Sequence, residues 1–192
     1  MLYPYRLIRT SKGVSIYTLL IRKADMKQLT YAVIFLSLTL SAAIFGFFYA
    51  WVCSTMWGLD AADPRVAIGA MQAMNASVRN AVFAPIFFGT PFALAAAAAL
   101  LLTRGQRHSA VAFAAAAIVY FCLGLMLTMS VNVPMNEALA KVDIPDDVEN
   151  ARAIWQNYSG PWQVWNQIRT AASGVAFLLA VSGLLMMERR RI

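Results

Sequence analysis

The side chains best placed to do chemistry fall in two short motifs near the C-terminal end of the chain. The first is Asn132-Val-Pro134-Met-Asn136-Glu137. The second is Trp162, Trp165, Asn166 and Arg169. The second set has spacing i, i+3, i+4 and i+7, which places all four on one face of a helix. Two indoles, a carboxamide and a guanidinium make a face unsuited to lipid, so it is predicted to point into the mouth of a bundle. Arg169 is then a partly buried cation in need of a partner, and Glu137 is the nearest carboxylate by sequence logic. Asn132 is expected to cap a helix whose first turn holds Pro134. Asn136 follows one turn on and faces the same way. Asn75 and Asn80, ahead of the second apolar stretch, either add amide donors to this mouth or serve as loop and capping residues. The whole set reads in two ways. It is a pocket with aromatic walls and a few convergent polar groups, or it is a clamp that satisfies backbone groups where helices enter the membrane.

Other chemistry has little to work with. The one histidine, His108, lies in a short basic loop. A metal centre needs ligands that this chain mostly lacks. The ten methionines suit packing better than copper. Cys53 and Cys122 sit on different apolar runs and form neither a disulfide framework nor a CxxC site.

The elements that must position these motifs follow from composition. Of 192 residues, 60% are hydrophobic and 13% are charged, with a mean hydropathy of +0.61. Soluble domains carry about 45–50% apolar and about 25% charged residues. A soluble enzyme and a disordered chain are both excluded by these values. What remains is an all-α integral membrane protein, a four-helix bundle. About 20 apolar residues cross the hydrocarbon, and four charge-free stretches meet that length at 31–52, 81–103, 109–131 and 170–187. Together they make one membrane domain, 31–188, between basic tails at 1–30 and 189–192. Met26-Lys27 resembles a second start, and the run after it is too long for a signal peptide. With no Asp, Glu, Lys, Arg or His inside a span, a pump or proton-coupled transporter is disfavoured.

Eleven of the sixteen basic residues lie in the two tails and the short 104–108 loop. The positive-inside rule then puts both termini in the cytoplasm of a multi-pass inner-membrane protein. The net charge of +7 belongs to these loops and gives no reason to expect nucleic acid. The connections 51–80 and 132–169 are therefore outer. Within the second, Pro145-Asp146-Asp147 predicts a helix start. Ser159-Gly160-Pro161 predicts a break followed by a second helix. Trp51, Trp57, Tyr158, Trp162 and Trp165 are expected to form an aromatic belt. Small residues every fourth position predict close helix packing, at Ala42/Gly46/Ala50, Gly89/Ala93/Ala97 and Ala172/Ala176/Ala180. Pro85 and Pro91 predict a bend in the second span.

Asn132-x-Pro134-x-Asn136 followed by Trp162-x-x-Trp165-Asn166-x-x-Arg169-Thr170 resembles the anthrone oxygenase-like family, whose bacterial members are grouped as a membrane domain of unknown function. The resemblance takes in Ala70-Met-Gln-Ala-Met-Asn75 and covers about residues 27–188. It implies four spans and, from the fungal members, oxidation of an anthrone to an anthraquinone by molecular oxygen. No metal or flavin is clearly implied by it, and the cofactor stays unknown. On that footing, Arg169, Asn136, Asn166 and Glu137 are the candidate catalytic residues. Trp162, Trp165, Asn132 and Asn75 are the candidate substrate-binding residues.

The implied substrate is a hydrophobic phenolic or anthrone-like molecule taken from the bilayer. The competing function is a non-enzymatic accessory subunit or a lipid- or small-molecule-binding protein, with a second copy or a larger membrane complex as partner. The orientation is directly testable. A periplasmic-type reporter fused after Ile192 is expected to be silent and a cytoplasmic one active; the reverse pattern overturns the assignment of the termini.

Overall fold

The computed structural model describes residues 16–188. The basic stretch 1–15 and the tail 189–192 lie outside the described residues. Every regular element is helical: α1 (Ile16–Ala50), α2 (Met56–Ala61), α3 (Pro64–Ser77), α4 (Phe83–Thr103), α5 (Arg107–Val119), α6 (Val133–Leu139) and α7 (Val148–Glu188). Wider π-helical turns at Trp51–Thr55, Tyr120–Met126 and Thr128–Asn132 join α1 to α2 and α5 to α6. Four helical runs are long and apolar enough to cross a membrane: Ala24–Ala61, Phe83–Thr103, Arg107–Leu139 and Val148–Met187. The protein is thus an all-helical, multi-pass membrane protein.

The four long helices pack as a ring, α1 against α4 and α7, and α5 against α4 and α7. Ile34, Ile44, Phe48, Leu94, Leu101, Phe113 and Tyr120 fill the centre. Phe35, Phe92, Val111 and Leu178 face outward, as lipid contact requires. The few hydroxyls in the apolar runs bond back to their own helices. Ser37 donates to the Ile34 carbonyl and Ser41 to that of Ser37, so neither buried hydroxyl is left bare. The α4–α5 hairpin is closed by Gly105 at φ 72°. Its N–H bonds Leu102 O while Gln106 N bonds Leu101 O, a Schellman ending that only a residue tolerant of positive φ completes at low cost.

The small-residue rows divide. On α7, Ala172, Ala176 and Ala180 are buried, and a Cβ on Gly174 or Gly183 would press on Phe45 or Phe113. Ala97 is buried on α4. On α1, Ala42, Gly46 and Ala50 are exposed, which corrects the packing role expected of that row. Ile44 and Phe48 take the inward positions there.

The long connections form a helical cap at one end of the bundle, here termed the distal end. Asp63 caps α3, accepting from Arg65 N at 2.9 Å, and its carboxyl is held down to about 2 by bonds from the Arg65 side chain and backbone. Asp147 caps α7 through Asn150 N, where the sequence placed a helix start. The predicted break at Ser159-Gly160-Pro161 does not occur, and α7 runs on through Pro161. A proline inside a helix removes one donor, and the carbonyl it deprives, on Asn157, sits on an exposed residue.

Pro91 creates the same deficit where no water can fill it. It strips the Phe87 carbonyl of its usual partner four residues on. The hydroxyl of buried Tyr120 donates to that oxygen at 3.0 Å. Pro85 sits in the first turn of α4, where a missing N–H matters little. Tyr120→Phe is therefore expected to destabilise the bundle by about 1–3 kcal/mol, the cost of one buried unsatisfied group. In Pro91→Ala the same change is expected to cost much less. Detergent-based unfolding of the double-mutant cycle checks this, and additive effects overturn it.

Candidate functional site

Arg169 enters the bundle from α7 at the distal mouth and is 5% exposed. Its Nε donates to Asn166 Oδ1 at 2.9 Å, and its Nη1 donates to Thr128 Oγ1 at 3.3 Å. The guanidinium carbon lies 4.4 Å from the Phe48 ring centroid and 5.1 Å from that of Trp162. Such cation–π contacts offset part of the desolvation cost of the charge. Asn166 Nδ2 reaches the Phe48 carbonyl at 3.3 Å, just before α1 widens into its π turn. Among the described residues, the ion pairs are Arg65–Asp63, Arg79–Glu137 and Arg152–Glu149. Arg169 thus has no carboxylate. The expected Glu137 partner is corrected: Glu137 is exposed and pairs with Arg79 at 3.1 Å. Water keeps that pair where both charges stay solvated, whereas burying Glu137 would add a second desolvation cost.

Asn136 and Arg169 are joined through one residue. Asn136 Oδ1 accepts from Trp162 Nε1 at 2.9 Å and from the Tyr158 hydroxyl at 2.8 Å. Trp162 stands between that amide and the guanidinium. Asn75 Nδ2 donates to the Tyr158 hydroxyl at 3.4 Å, so Asn75 belongs to the network at one remove. Asn80 instead caps α4, its Oδ1 accepting from Val82 N and Phe83 N.

The aromatic belt also needs correction. Tyr158 and Trp162 are buried, and Trp162 packs on Trp51 at 5.1 Å. Trp165 is 36% exposed and turns to the rim of its helix face, about 60° from Trp162 at 100° per residue. It does not join Trp162 as a second wall.

Asn132 is the anomaly. It is fully buried, and neither its side-chain nitrogen nor its oxygen has a partner. Its expected capping role is not made, because the backbone is already helical at Asn132 and the helix continues from the preceding π turn. It sits between Thr128 and Asn136 at four-residue spacing, and thus between the Arg169 contact and the Trp162 contact. Leaving a carboxamide bare in an apolar interior costs about 1–3 kcal/mol, and such groups in native proteins mark catalytic sites or unfilled partners.

Thr128, Phe48, Tyr158 and Trp51 are members that sequence reasoning missed. For Thr128 a signal existed, the run Thr128, Asn132, Asn136 at every fourth position. Phe48 and Trp51 lie on a separate span, more than 100 residues from Arg169; the sequence marked Trp51 and Tyr158 only as belt residues, and nothing in it marks Phe48. His108 is exposed in the first turn of α5, at the opposite end of the bundle. Among the described residues, no group of three His, Cys, Asp or Glu side chains is placed to hold a metal ion.

A family model described as Anthrone oxygenase matches residues 79–179, a little over half of the chain. The match spans α4 to most of α7 and includes Asn132, Asn136, Trp162, Asn166 and Arg169; Asn75, Phe48 and Trp51 lie before it. No curated protein and no solved structure matches the chain. Because Asn132 has no hydrogen bond to lose, Asn132→Leu is expected to hold or raise stability by about 1–3 kcal/mol. Thermal unfolding in detergent measures it. A loss of comparable size would show that Asn132 supports the fold.

Proposed function

Since the chain belongs to the anthrone oxygenase family, we propose that it oxidises a hydrophobic phenolic or anthrone-like ring with molecular oxygen at the distal mouth of the bundle. The observation that carries this reading is a buried guanidinium without a carboxylate and, four residues along the helix from its Thr128 contact, a buried carboxamide without a partner. A cation so placed favours the anion of an acidic ligand. Asn132 offers both a donor and an acceptor to its oxygen substituents, and preorganised dipoles of this kind are most effective where water is excluded. The substrate gives up its acidic proton to water at the membrane interface and settles from the lipid as an anion next to Arg169, and its carbanion reacts with oxygen. One oxygen atom becomes the new ring carbonyl. The other leaves as water with the two hydrogens of the oxidised CH₂.

Trp162 supplies the apolar wall and, through Asn136, keeps its indole fixed. Asn166 orients the guanidinium. Glu137, solvated and paired with Arg79, has no part in the step. The π turns at Trp51–Thr55 and Thr128–Asn132 border the site, and such turns are where helices most readily re-aim side chains. In this reading the termini are cytoplasmic and the site opens toward the outer leaflet of the inner membrane.

A second reading rests on the saturation of the other members: Asn136, Asn166 and Arg169 all hold partners within the network. It makes the cluster a clamp in a non-enzymatic membrane protein. The two readings separate in one paired measurement, the unfolding temperature of each purified variant and its oxygen consumption with a panel of anthrones and hydroquinones. Catalysis predicts a fall of about 10²–10³ in turnover for Arg169→Ala. Arg169→Lys is expected to be intermediate because it keeps charge but not the fork. Trp162→Ala is expected to weaken binding by about 1–3 kcal/mol. Stable Arg169→Ala protein with unchanged turnover ends the catalytic reading. Joint loss of stability in all three variants, with no wild-type turnover, supports the clamp.

A further inference from the structure

A cavity of about 470 Å³ opens beside α7 at the distal end, lined by Asp60, Pro64, Arg152, Gln156, Gly160 and Gln163 among others. At 1.5 Å per residue, its α7 residues stand about 9 to 25 Å beyond Arg169 along the helix. It is separate from the Arg169 cluster, with which it shares no lining residue, and its chemistry is independent of the oxidation proposed there.

The carboxylate of Asp60 defines the cavity. Oδ1 accepts from Trp155 Nε1 at 2.9 Å and from Ser159 Oγ at 2.7 Å, and Oδ2 accepts from Gln163 Nε2 at 2.9 Å. All three donors are neutral, so they hold the carboxylate in place and leave its charge uncompensated. A carboxylate offers about four lone-pair positions, and one remains for a ligand. The nearby cations are engaged elsewhere: Arg152 grips Glu149 through both carboxylate oxygens, and Arg65 grips Asp63 and the Asp146 carbonyl. The elements around the opening carry Asp63, Asp146, Asp147 and Glu149 against those two guanidiniums. The resulting field is negative and favours a cation. A divalent metal fits poorly, since both oxygens of the one lining carboxylate already accept hydrogen bonds and no cluster of ligating side chains is present among the described residues. Gly160 leaves the α7 side of the cavity open: a Cβ there meets nothing within 4 Å. Ala62, Pro64 and Gly160 give an apolar lining next to the charge.

We propose that this cavity binds an organic ammonium group, with the N–H donors of the ligand completing Asp60 and its alkyl body lying against Ala62, Pro64 and Gly160. The ammonium belongs either to a soluble amine or to an aminophospholipid headgroup. The test uses the full chain in phosphatidylcholine nanodiscs and three probes of one tail length, hexylammonium, hexanol and hexanoate, read by calorimetry. Hexylammonium is expected to bind at least tenfold more tightly than hexanol, and hexanoate least. Asp60→Asn is expected to reduce hexylammonium to the level of hexanol. Gly160→Leu, which fills the cavity without a clash at its Cβ, is expected to abolish binding while the unfolding temperature holds. Repeating the titration in phosphatidylethanolamine discs separates the sources: competition supports the lipid headgroup, and unchanged affinity supports a soluble amine. Equal affinity for hexylammonium and hexanol, no binding to the wild-type protein, or full affinity in folded Gly160→Leu overturns the proposal.

Discussion

Burying a guanidinium at the mouth of a membrane bundle without a carboxylate constrains everything packed around it. The charge cannot be left to hydrocarbon, where its desolvation is costly. It is held by neutral groups instead: the Asn166 amide, the Thr128 hydroxyl and the faces of Phe48 and Trp162. Together they come from three parts of the fold, so α1, the π turn at Thr128–Asn132, and α7 must meet at one level. Trp162 in turn is pinned by Asn136, and Asn136 by Tyr158. Asn136, Trp162, Asn166 and Arg169 thus form one connected network, anchored on an unpaired cation.

The same logic of unmatched backbone and side-chain groups runs through the bundle. Pro91 costs the Phe87 carbonyl its partner, and Tyr120 reaches 33 residues across to replace it. That ring lies so close to Gly124 that a Cβ there would overlap it. The helix carrying both departs from α geometry over the same turn. The π turns then advance Thr128, Asn132 and Asn136 along one side, toward α7. Where deficits are solvated, as at Pro161, the chain leaves them alone. At Phe87 the deficit is buried and is filled, whereas at Asn132 it is buried and left open. An unfilled deficit beside a satisfied polar network is the kind of local disagreement that functional sites retain.

The distal cap adds a different chemistry beside the membrane site. Asp60 is tethered by three neutral donors from one face of α7, at Trp155, Ser159 and Gln163, and this ties α2 to that helix. The neighbouring face of α7 carries Tyr158 and Trp162 into the network around Arg169. One continuous helix therefore serves a solvent-facing carboxylate and a buried guanidinium. This explains why an unbroken course through Pro161 matters more than the local preference to stop there.

The sequence alone determined the four spans and the all-helical class, because charge-free stretches of this length have no other stable form in a bilayer; the family was legible separately, in the spacing of the Asn132–Asn136 and Trp162–Arg169 motifs. Periodicity within α7 also placed Trp162, Asn166 and Arg169 inward together, since neighbours on one helix face are fixed by helix geometry. Only the tertiary structure decided the partners. Glu137 looked closest to Arg169 in sequence and went to Arg79, because solvation outweighs attraction for an exposed carboxylate. Phe48 and Trp51 are brought to the site by packing between helices, which leaves no local pattern. The missing cap at Asn132 and the unbroken helix at Pro161 follow the same reason. Local signals for a helix start or stop are worth about a kilocalorie or a few, and continuous helices crossing and capping a bundle override them.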